Sequence, residues 1–251
     1  MADSDTWIRR FHPAPRGRLR LVCFPHAGGA ASFYYPVSQA LHPDIEVLSL
    51  QYPGRQDRRT EPPVPDIMPL AEQVAEALLP WKEGPWAFFG HSMGAVVAFE
   101  AARILEGTPG AAPLTQLIVS GRRAPGTRRD EAVHERDDDG LIAEMRRLNG
   151  TESGVLDNEE LLRMVLPALR NDYRAIETYR GDPGARVSCP ITALIGDDDP
   201  KATVEETRAW AEHTTGGFDM HVFRGGHFFL VDRQLEVLEL ITSSLKGTDD
   251  E

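Results

Sequence analysis

A serine between two glycines stands where an apolar segment meets an alanine-rich one, and this junction constrains the fold more than any other feature. The residues Trp86-Ala87-Phe88-Phe89 are typical of a short buried strand, and Gly90-His91-Ser92-Met93-Gly94 follows at once. From Gly94 to Glu106, apolar residues recur on one side of a predicted helix, which Gly107 ends. A strand that turns so tightly into a helix needs close backbone approach, and the flanking glycines leave room for it. The junction therefore predicts a strand–turn–helix unit.

Strands and helices alternate along most of the chain. Apolar runs predict further strands at 19–24, 45–50, 117–119, 191–195 and 220–223, and helical periodicity predicts helices at 67–79, 204–213 and 230–245. This alternation indicates a mostly parallel sheet that is covered by helices on both faces. We expect one α/β domain over residues 1–251, because single α/β domains commonly reach this length.

The alternation breaks between about residues 122 and 182, a segment that we call the lid insertion. It begins with many charged residues and continues with two predicted helices, at about 141–148 and 159–179. Pro167 inside the second helix predicts a kink or a break into two helices. Such a helical insertion either covers a site or is a plain surface excursion, and the residues favour neither. We expect its aliphatic side chains mostly to hold the insertion together rather than to line a pocket: Leu141, Met145, Leu162 and Val165.

Ser92 is the predicted nucleophile. The pattern G-x-S-x-G between a strand and a helix is the nucleophile elbow of the α/β-hydrolase fold. There the serine has a strained backbone conformation, and its oxygen projects above the edge of the sheet. The positive end of the helix dipole at this position favours an oxyanion. The chain is therefore predicted to adopt the α/β-hydrolase fold, with a helical lid insertion.

His227 is the predicted general base among eight histidines. It lies in Gly225-Gly226-His227-Phe228-Phe229, after the last predicted strand, and it is the last histidine in the chain. This position agrees with the order of α/β-hydrolases, in which the serine comes first, then the acid, then the histidine. We expect His91 to have a packing or orienting role, and His213 to be a solvated cap at a helix end.

The acid should follow a strand between the nucleophile and the base, and Gly196-Asp197-Asp198-Asp199-Pro200 follows the strand predicted at 191–195. The usual Gly-x-x-Asp spacing of this loop selects Asp199, with Asp198 as the alternative. The chosen carboxylate would hold the neutral imidazole tautomer and stabilise the imidazolium. We predict no metal site, because no His, Cys or Glu stands at ligand spacing from these aspartates.

Two backbone N–H groups are predicted to form an oxyanion hole. One belongs to Met93, the residue after the nucleophile, and the other to the loop after an early strand. That loop is Phe24-Pro25-His26-Ala27-Gly28-Gly29, and we choose Ala27 as its donor. The rival interpretation of the glycine pair as a phosphate cradle fails, because neither G-x-x-x-x-G-K-[ST] nor G-x-G-x-x-G occurs in the sequence.

The net charge and the apolar runs exclude several partner classes. The chain has 27 Lys and Arg against 39 Asp and Glu, a formal net charge of −12, so neither nucleic acid nor an anionic membrane is an expected partner. No apolar run is long enough to span a bilayer, and residues 1–10 contain no signal-peptide core. Cys23 and Cys189 lie in apolar segments and predict a buried reduced pair. We therefore expect a cytoplasmic protein.

Four motifs together resemble the stand-alone type II thioesterases that accompany polyketide synthases and non-ribosomal peptide synthetases. They are Phe24-Pro25-His26-Ala27-Gly28-Gly29-Ala30, Tyr52-Pro53-Gly54-Arg55, Gly90-His91-Ser92-Met93-Gly94 and Gly225-Gly226-His227-Phe228. Their order and spacing match that family over about residues 18–245. The segment Leu166-Pro167-Ala168-Leu169-Arg170-Asn171-Asp172 also resembles the lid helix of the family.

The resemblance implies hydrolysis of acyl thioesters on the phosphopantetheine arm of acyl or peptidyl carrier proteins, which clears aberrant or stalled acyl groups from a synthase. It implies small acyl thioesters as further substrates and no cofactor beyond the arm. The alternatives are a general carboxylesterase or an acyltransferase of the same fold, and, less favoured, a non-catalytic carrier-binding module. We expect a monomer, because no heptad or exposed apolar stripe indicates a dimer.

Docking of a carrier protein is expected to need a local basic patch. Carrier proteins are usually acidic, as this chain is, so the overall charge is repulsive. The candidate arginines are Arg55, Arg58 and Arg59, or Arg122, Arg123, Arg128 and Arg129. The alternative is that each of them is a solvated surface charge.

Overall fold

A seven-stranded sheet organises the chain, of which the computed structural model describes residues 4–14, 19–81, 84–148 and 159–246. The strands are β1 (Ile8–Arg9), β2 (Leu19–Phe24), β3 (Ile45–Leu50), β4 (Trp86–His91), β5 (Leu114–Ser120), β6 (Ile191–Gly196) and β7 (Phe218–Phe223). Their spatial order is β1-β3-β2-β4-β5-β6-β7. β1 is antiparallel to β3, and the other neighbouring strands are parallel. The predicted mostly parallel α/β sheet is therefore confirmed.

Helices connect the strands and cover the sheet. They are α1 (Ser4–Trp7), α2 (Tyr35–Leu41), α3 (Ile67–Leu78), α4 (Met93–Glu106), α5 (Asp138–Leu148), α6 (Glu159–Thr178), α7 (Val204–Arg208), α8 (Phe229–Asp232) and α9 (Gln234–Lys246). Among these helices, none is both long and apolar enough to cross a membrane.

Alternate residues of β2 show why helices pack on both faces of the sheet. Val22 and Phe24 belong to the apolar cluster that includes the buried sides of α3 and α4. Leu21 and Cys23 point to the other face and belong to the cluster that includes residues of α2 and α9. Successive strand side chains point to opposite faces, so a strand buried on both sides is apolar throughout.

Both cysteines are buried free thiols, as predicted. Burial raises the pKa of the Cys23 thiol far above its ordinary value, and it raises the pKa of Cys189 to about 12. Both side chains therefore stay protonated and act as small apolar groups of the core.

The lid insertion contains α5 and α6, and its residues 149–158 lie outside the described part of the chain. Of the predicted alternatives at Pro167, a kink or a break, the break does not occur, because α6 runs through this residue without interruption. Proline removes one N–H from the helix, but Leu162, Leu166 and Leu169 are buried on either side of it. This packing stabilises the helix across the missing hydrogen bond.

Other differences lie at short elements and at one histidine. The sequence did not predict β1 or α2, and the helix predicted at 204–213 is α7 followed by a 3₁₀ segment, Ala209–His213. The prediction of His213 as a solvated cap is wrong, because this residue is 3% exposed. Its ring packs against Trp210 and Phe99, and its Nδ1 lies 2.8 Å from the carbonyl oxygen of Ala185.

Candidate active site

Ser92 lies on the turn between β4 and α4 in a conformation that non-glycine residues rarely adopt, with φ 54° and ψ −118°. Its N–H donates to the carbonyl oxygen of Ser120 in β5 at 2.8 Å. A Cβ at Gly90 would lie 2.3 Å from the carbonyl oxygen of Gly94, and one at Gly94 would lie 2.1 Å from the carbonyl oxygen of Phe24. The flanking glycines are thus required by close backbone approach, and the turn has the strain expected of a nucleophile elbow.

A chain of hydrogen bonds joins Ser92, His227 and Asp199. The Nε2 atom of His227 lies 3.0 Å from Ser92 Oγ, and its Nδ1 atom lies 2.9 Å from each carboxylate oxygen of Asp199. Because an ionised carboxylate only accepts hydrogen bonds, we assign the ring proton to Nδ1, which leaves Nε2 to accept from the serine hydroxyl. The side chains of His227 and Asp199 are 2% and 0% exposed, so little water competes for these bonds.

The three adjacent aspartates have different surroundings. Asp199 also accepts a hydrogen bond from the Lys201 N–H at 2.8 Å. Asp197 accepts from the N–H of Gly225 at 2.8 Å and so holds the loop that carries His227. Asp198 is exposed. The structure therefore brings Asp199, and not the alternative Asp198, to the imidazole; among the described residues, no three His, Cys, Asp or Glu are grouped to hold a metal ion.

The two predicted oxyanion donors have backbone N–H groups available to a ligand. Met93 is the first residue of α4, and Ala27 lies in the loop after β2 and lines the same cavity as Ser92. Within the described ranges, neither N–H has a hydrogen-bond acceptor. The loop around Ala27 is fixed, because the N–H of Gly29 donates to the His26 carbonyl oxygen at 2.9 Å and the N–H of Gly28 donates to Asp172 at 2.8 Å.

Asp172 of α6 is a buried carboxylate. Sequence analysis placed it in the segment that resembles the family's lid helix but predicted no role for it. Its Oδ2 accepts the hydrogen bond of Gly28 and forms an ion pair with Arg55. The side chains of Arg55 and Asp172 are 7% and 3% exposed, and Arg55 also donates to the carbonyl oxygen of Pro53. Three of the motifs quoted above therefore meet at one buried contact, which ties the lid insertion to the loop of Ala27.

Two buried histidines pack near His227. The ring centroid of His91 lies 5.0 Å from that of His227 and 6.0 Å from that of His26. Burial lowers the pKa of His26 to about 3, and the charges of His227 and Arg55 act in the same direction. Burial also lowers the pKa of His91 well below its ordinary value. Both rings are therefore neutral, and the Nδ1 of His91 lies 3.0 Å from Ser120 Oγ, in keeping with the predicted orienting role.

A cavity of about 350 Å³ lies beside Ser92 and His227. The lid insertion forms much of its wall, through Arg122, Glu131, Met145, Leu148, Val165, Leu169, Tyr173, Ile176 and Glu177. The expectation that most of the four aliphatic side chains only hold the insertion together is met by half of them, because Met145 and Val165 line the cavity. Leu141 and Leu162 are buried and are not among its lining residues, as expected.

Most of the arginines predicted as docking candidates are buried. The exposed fractions are 7% for Arg55, 5% for Arg58, 8% for Arg122 and 4% for Arg123. Three of these arginines have ion-pair partners within the fold, which are Asp172 for Arg55, Glu61 for Arg58 and Glu131 for Arg123. The half-buried Arg129 pairs with Glu206, and Arg59 and Arg128 are exposed. The prediction of two basic surface clusters is therefore wrong for Arg55, Arg58, Arg122 and Arg123, which are buried in the fold.

The known proteins that this chain resembles include thioesterases. Residues 19–245 match the family described as the thioesterase domain. The chain is 54% identical over 247 residues to thioesterase PikA5 of Streptomyces venezuelae. This alignment covers 98% of this chain and 88% of that protein. It is 62% identical over 224 residues to a probable cadicidin biosynthesis thioesterase of Streptomyces griseus, covering 89% of this chain but only 62% of the length of that relative. Among solved structures, the type II thioesterase BorB from the borrelidin biosynthetic cluster superposes with a TM-score of 0.90 and 50% identity, over 98% of this chain and 100% of that one.

Proposed function

This chain belongs to the thioesterase family, and from that premise we propose that it hydrolyses acyl thioesters on the phosphopantetheine arm of acyl or peptidyl carrier proteins. The observation that carries the proposal is the hydrogen-bonded chain from Ser92 through His227 to Asp199 in the wall of a cavity. The names of the relatives, which are thioesterases of biosynthetic clusters, support the same reaction. The role of this enzyme would be to clear aberrant or stalled acyl groups from a polyketide or non-ribosomal peptide synthase.

Ser92 forms the acyl-enzyme in the proposed mechanism. Its Oγ attacks the thioester carbonyl carbon while Nε2 of His227 takes the hydroxyl proton. Asp199 stabilises the resulting imidazolium, and the N–H groups of Ala27 and Met93 donate to the oxyanion of the tetrahedral intermediate. The C–S bond then breaks, the pantetheine sulfur takes the proton from His227, and the acyl group stays on Ser92 as an ester.

Water completes the reaction. His227 takes a proton from a water molecule, whose oxygen attacks the ester carbonyl through a second tetrahedral intermediate. The bond to Ser92 Oγ breaks, the serine recovers its proton from His227, and the free acid leaves. Because protein groups supply the base, the acid and the oxyanion donors, we propose no cofactor beyond the carrier's arm.

The proposed partner is a carrier protein, and the enzyme is proposed to act as a monomer. The arm must reach Ser92 through the cavity that the lid insertion lines. Among the candidate docking arginines, Arg59 and Arg128 are exposed, so we propose that these two contact the carrier.

Matched substrates test the proposal. We expect butyryl-pantetheine to be hydrolysed faster than p-nitrophenyl butyrate, and Ser92→Ala to lower turnover by at least about 10³-fold. A preference for the oxyester would favour a general carboxylesterase, and transfer to an added amine or alcohol would favour an acyltransferase. Full hydrolysis by Ser92→Ala would contradict the catalytic assignment.

A further inference from the structure

Arg122 is a buried arginine in the wall of the Ser92 cavity, and its guanidinium has no partner in the part of the chain that the structure describes. The residue is 8% exposed and lines the cavity together with Ser92 and His227. Its Nε is fully buried without a hydrogen bond, and the other guanidinium nitrogens have no hydrogen bond or ion pair to a described residue. Its carbonyl oxygen accepts a hydrogen bond from Trp210 Nε1 at 2.8 Å. Burying a charged group without partners is costly, so an acceptor that reaches it would be bound strongly.

The other charged residues that line the cavity already have partners. Lys201 lies 3.1 Å from Glu131 and 2.7 Å from Glu144. Glu131 also accepts from Arg123 at 2.7 Å. Glu177 accepts hydrogen bonds from the N–H groups of Val133 and His134 at 3.0 and 3.1 Å. Arg122 is thus the charged lining residue that the described fold leaves unsatisfied.

Arg122 remains a cation at neutral pH. Burial lowers its pKa to about 9, and the charge of Arg123 acts in the same direction, whereas Glu131 and Glu177 act against it. At pH 7 the guanidinium therefore keeps its positive charge, and its planar N–H groups suit oxygen acceptors.

The position of Arg122 in the fold puts it close to the reacting bond. It follows β5, which lies between β4, the strand that leads to Ser92, and β6, the strand that leads to Asp199. The preceding residue, Gly121, lies beside two histidine rings, since a Cβ there would lie 2.6 Å from Cε1 of His91 and 3.4 Å from Cε1 of His227. Because Arg122 and Ser92 line the same cavity of about 350 Å³, a group bound by Arg122 would lie in the part of the acyl chain that enters this cavity.

We propose that Arg122 selects acyl groups that carry an oxygen acceptor, such as a hydroxyl or a carboxylate, within a few bonds of the thioester carbonyl. The inference rests on the proposed function and adds the substrate class. An acceptor oxygen would form a charge-assisted hydrogen bond with the guanidinium, whereas an alkyl chain of equal length would leave it unpaired. The volume of about 350 Å³ is near the lower end for ligand pockets, in keeping with a short chain.

Three pantetheine thioesters of equal chain length test the proposal: butyryl, 3-hydroxybutyryl and succinyl. We expect the wild-type enzyme to have a higher kcat/KM for at least one oxygenated substrate than for butyryl-pantetheine. Arg122→Met should lower kcat/KM for that substrate by about 10- to 100-fold more than it lowers the value for butyryl-pantetheine. As a matched control, Arg129→Met alters a half-buried arginine that pairs with Glu206 and does not line the Ser92 cavity. This control should leave the ratios between the three values unchanged.

The ratio of two kcat/KM values from one preparation is independent of the fraction of folded enzyme, so partial misfolding does not mimic the effect. Equal losses on all three substrates, or no loss on any, would overturn the proposal. If Arg122→Met does not fold, the wild-type enzyme alone tests the proposal. A kcat/KM that is no higher for 3-hydroxybutyryl- or succinyl-pantetheine than for butyryl-pantetheine also overturns the proposal. In that case turnover of butyryl-pantetheine still supports the proposed function, whereas absence of turnover with all three substrates contradicts it.

Discussion

At the scale of the residue, variants of the adjacent Asp198 and Asp199 test which carboxylate serves as the triad acid. Asp199→Asn keeps the size of the side chain but removes the charge that holds the proton on Nδ1 of His227. We expect kcat for butyryl-pantetheine to fall by about 10⁴-fold, because the imidazole would present the wrong tautomer to Ser92. The exposed Asp198 is the matched control, and Asp198→Asn should leave kcat unchanged. Equal losses in the two variants would rule out Asp199 as the specific acid.

The buried histidines predict a stability that falls in mild acid. Burial lowers the pKa of both His26 and His91, in His26 to about 3, whereas a histidine of the unfolded chain titrates near 6.5. Below pH 6.5 the unfolded chain therefore binds protons that the folded protein excludes, so stability decreases as the pH falls. The expected loss at pH 5 is about 2 kcal/mol for the His26 ring, and His91 acts in the same direction. Burial raises the pKa of the Glu144 carboxyl, but hydrogen bonds from Arg147 and Lys201 outweigh it and lower the pKa to about 2. Such carboxylates change the stability mainly below pH 5.

Urea unfolding at pH 7.5, 6 and 5 measures this loss. His26→Phe removes one titrating ring and keeps an aromatic group beside Phe33 and Phe228. We expect the variant to lose about 2 kcal/mol less than the wild type between pH 7.5 and 5. An unchanged dependence in His26→Phe would contradict the account.

Residues in a local motif were predictable from the sequence, and residues defined by distant contacts were not. Ser92 and His227 lie in glycine-rich loops whose position relative to strands and helices the chain itself displays. The partners Arg55 and Asp172 are 117 residues apart, and nothing local shows that an arginine is buried. Arg122 was assigned to the surface for the same reason, since arginine is mostly exposed in proteins.

At the scale of the element, the lid helix α6 is held to the Ala27 loop by the Arg55–Asp172 ion pair. Asp172→Asn would leave Arg55 buried without a charged partner, and we expect a loss of about 3–5 kcal/mol in the free energy of unfolding. Replacing both residues, as Arg55→Met with Asp172→Leu, should destabilise less than this single change, because no charge is left buried. Urea unfolding of the variants measures both effects.

An exposed pair in the same lid insertion provides the control. Asp138 pairs with Arg170, and their side chains are 69% and 35% exposed. Asp138→Asn should change the free energy of unfolding by less than about 1 kcal/mol. A loss as large as that of Asp172→Asn would show that the insertion responds to any lost charge, and would contradict the special role of the buried pair.

The elements themselves were predicted where their periodicity is long. The strands β2 and β3 were predicted with the bounds that the structure has, because each is a six-residue segment of mostly apolar residues. β1 has two residues, too few for a periodicity. The continuity of α6 through Pro167 depends on tertiary packing, which overrides the local preference of proline.

At the scale of the whole molecule, the net charge of −12 sets how the enzyme meets a carrier. Most of the candidate arginines are buried, so an acidic carrier protein faces a largely repulsive surface. We expect kcat/KM for an acyl group on an acidic carrier to rise between about 0.05 and 0.3 M NaCl, because salt screens repulsion. The value for butyryl-pantetheine, which is uncharged, should stay constant. A decrease with salt would instead indicate attraction, and Arg59→Glu and Arg128→Glu would then show whether these exposed arginines cause it.

The buried thiols have a practical consequence for measuring the enzyme. A thiol that is inaccessible and protonated does not react with an aromatic disulfide reagent, because the thiolate is the nucleophile. Such a reagent in the assay would develop colour only from the pantetheine sulfhydryl set free at each turnover, with no background from the native protein. The protein's 2 cysteines would add their own colour only when the core opens, so the same reagent would also report unfolding during the measurement.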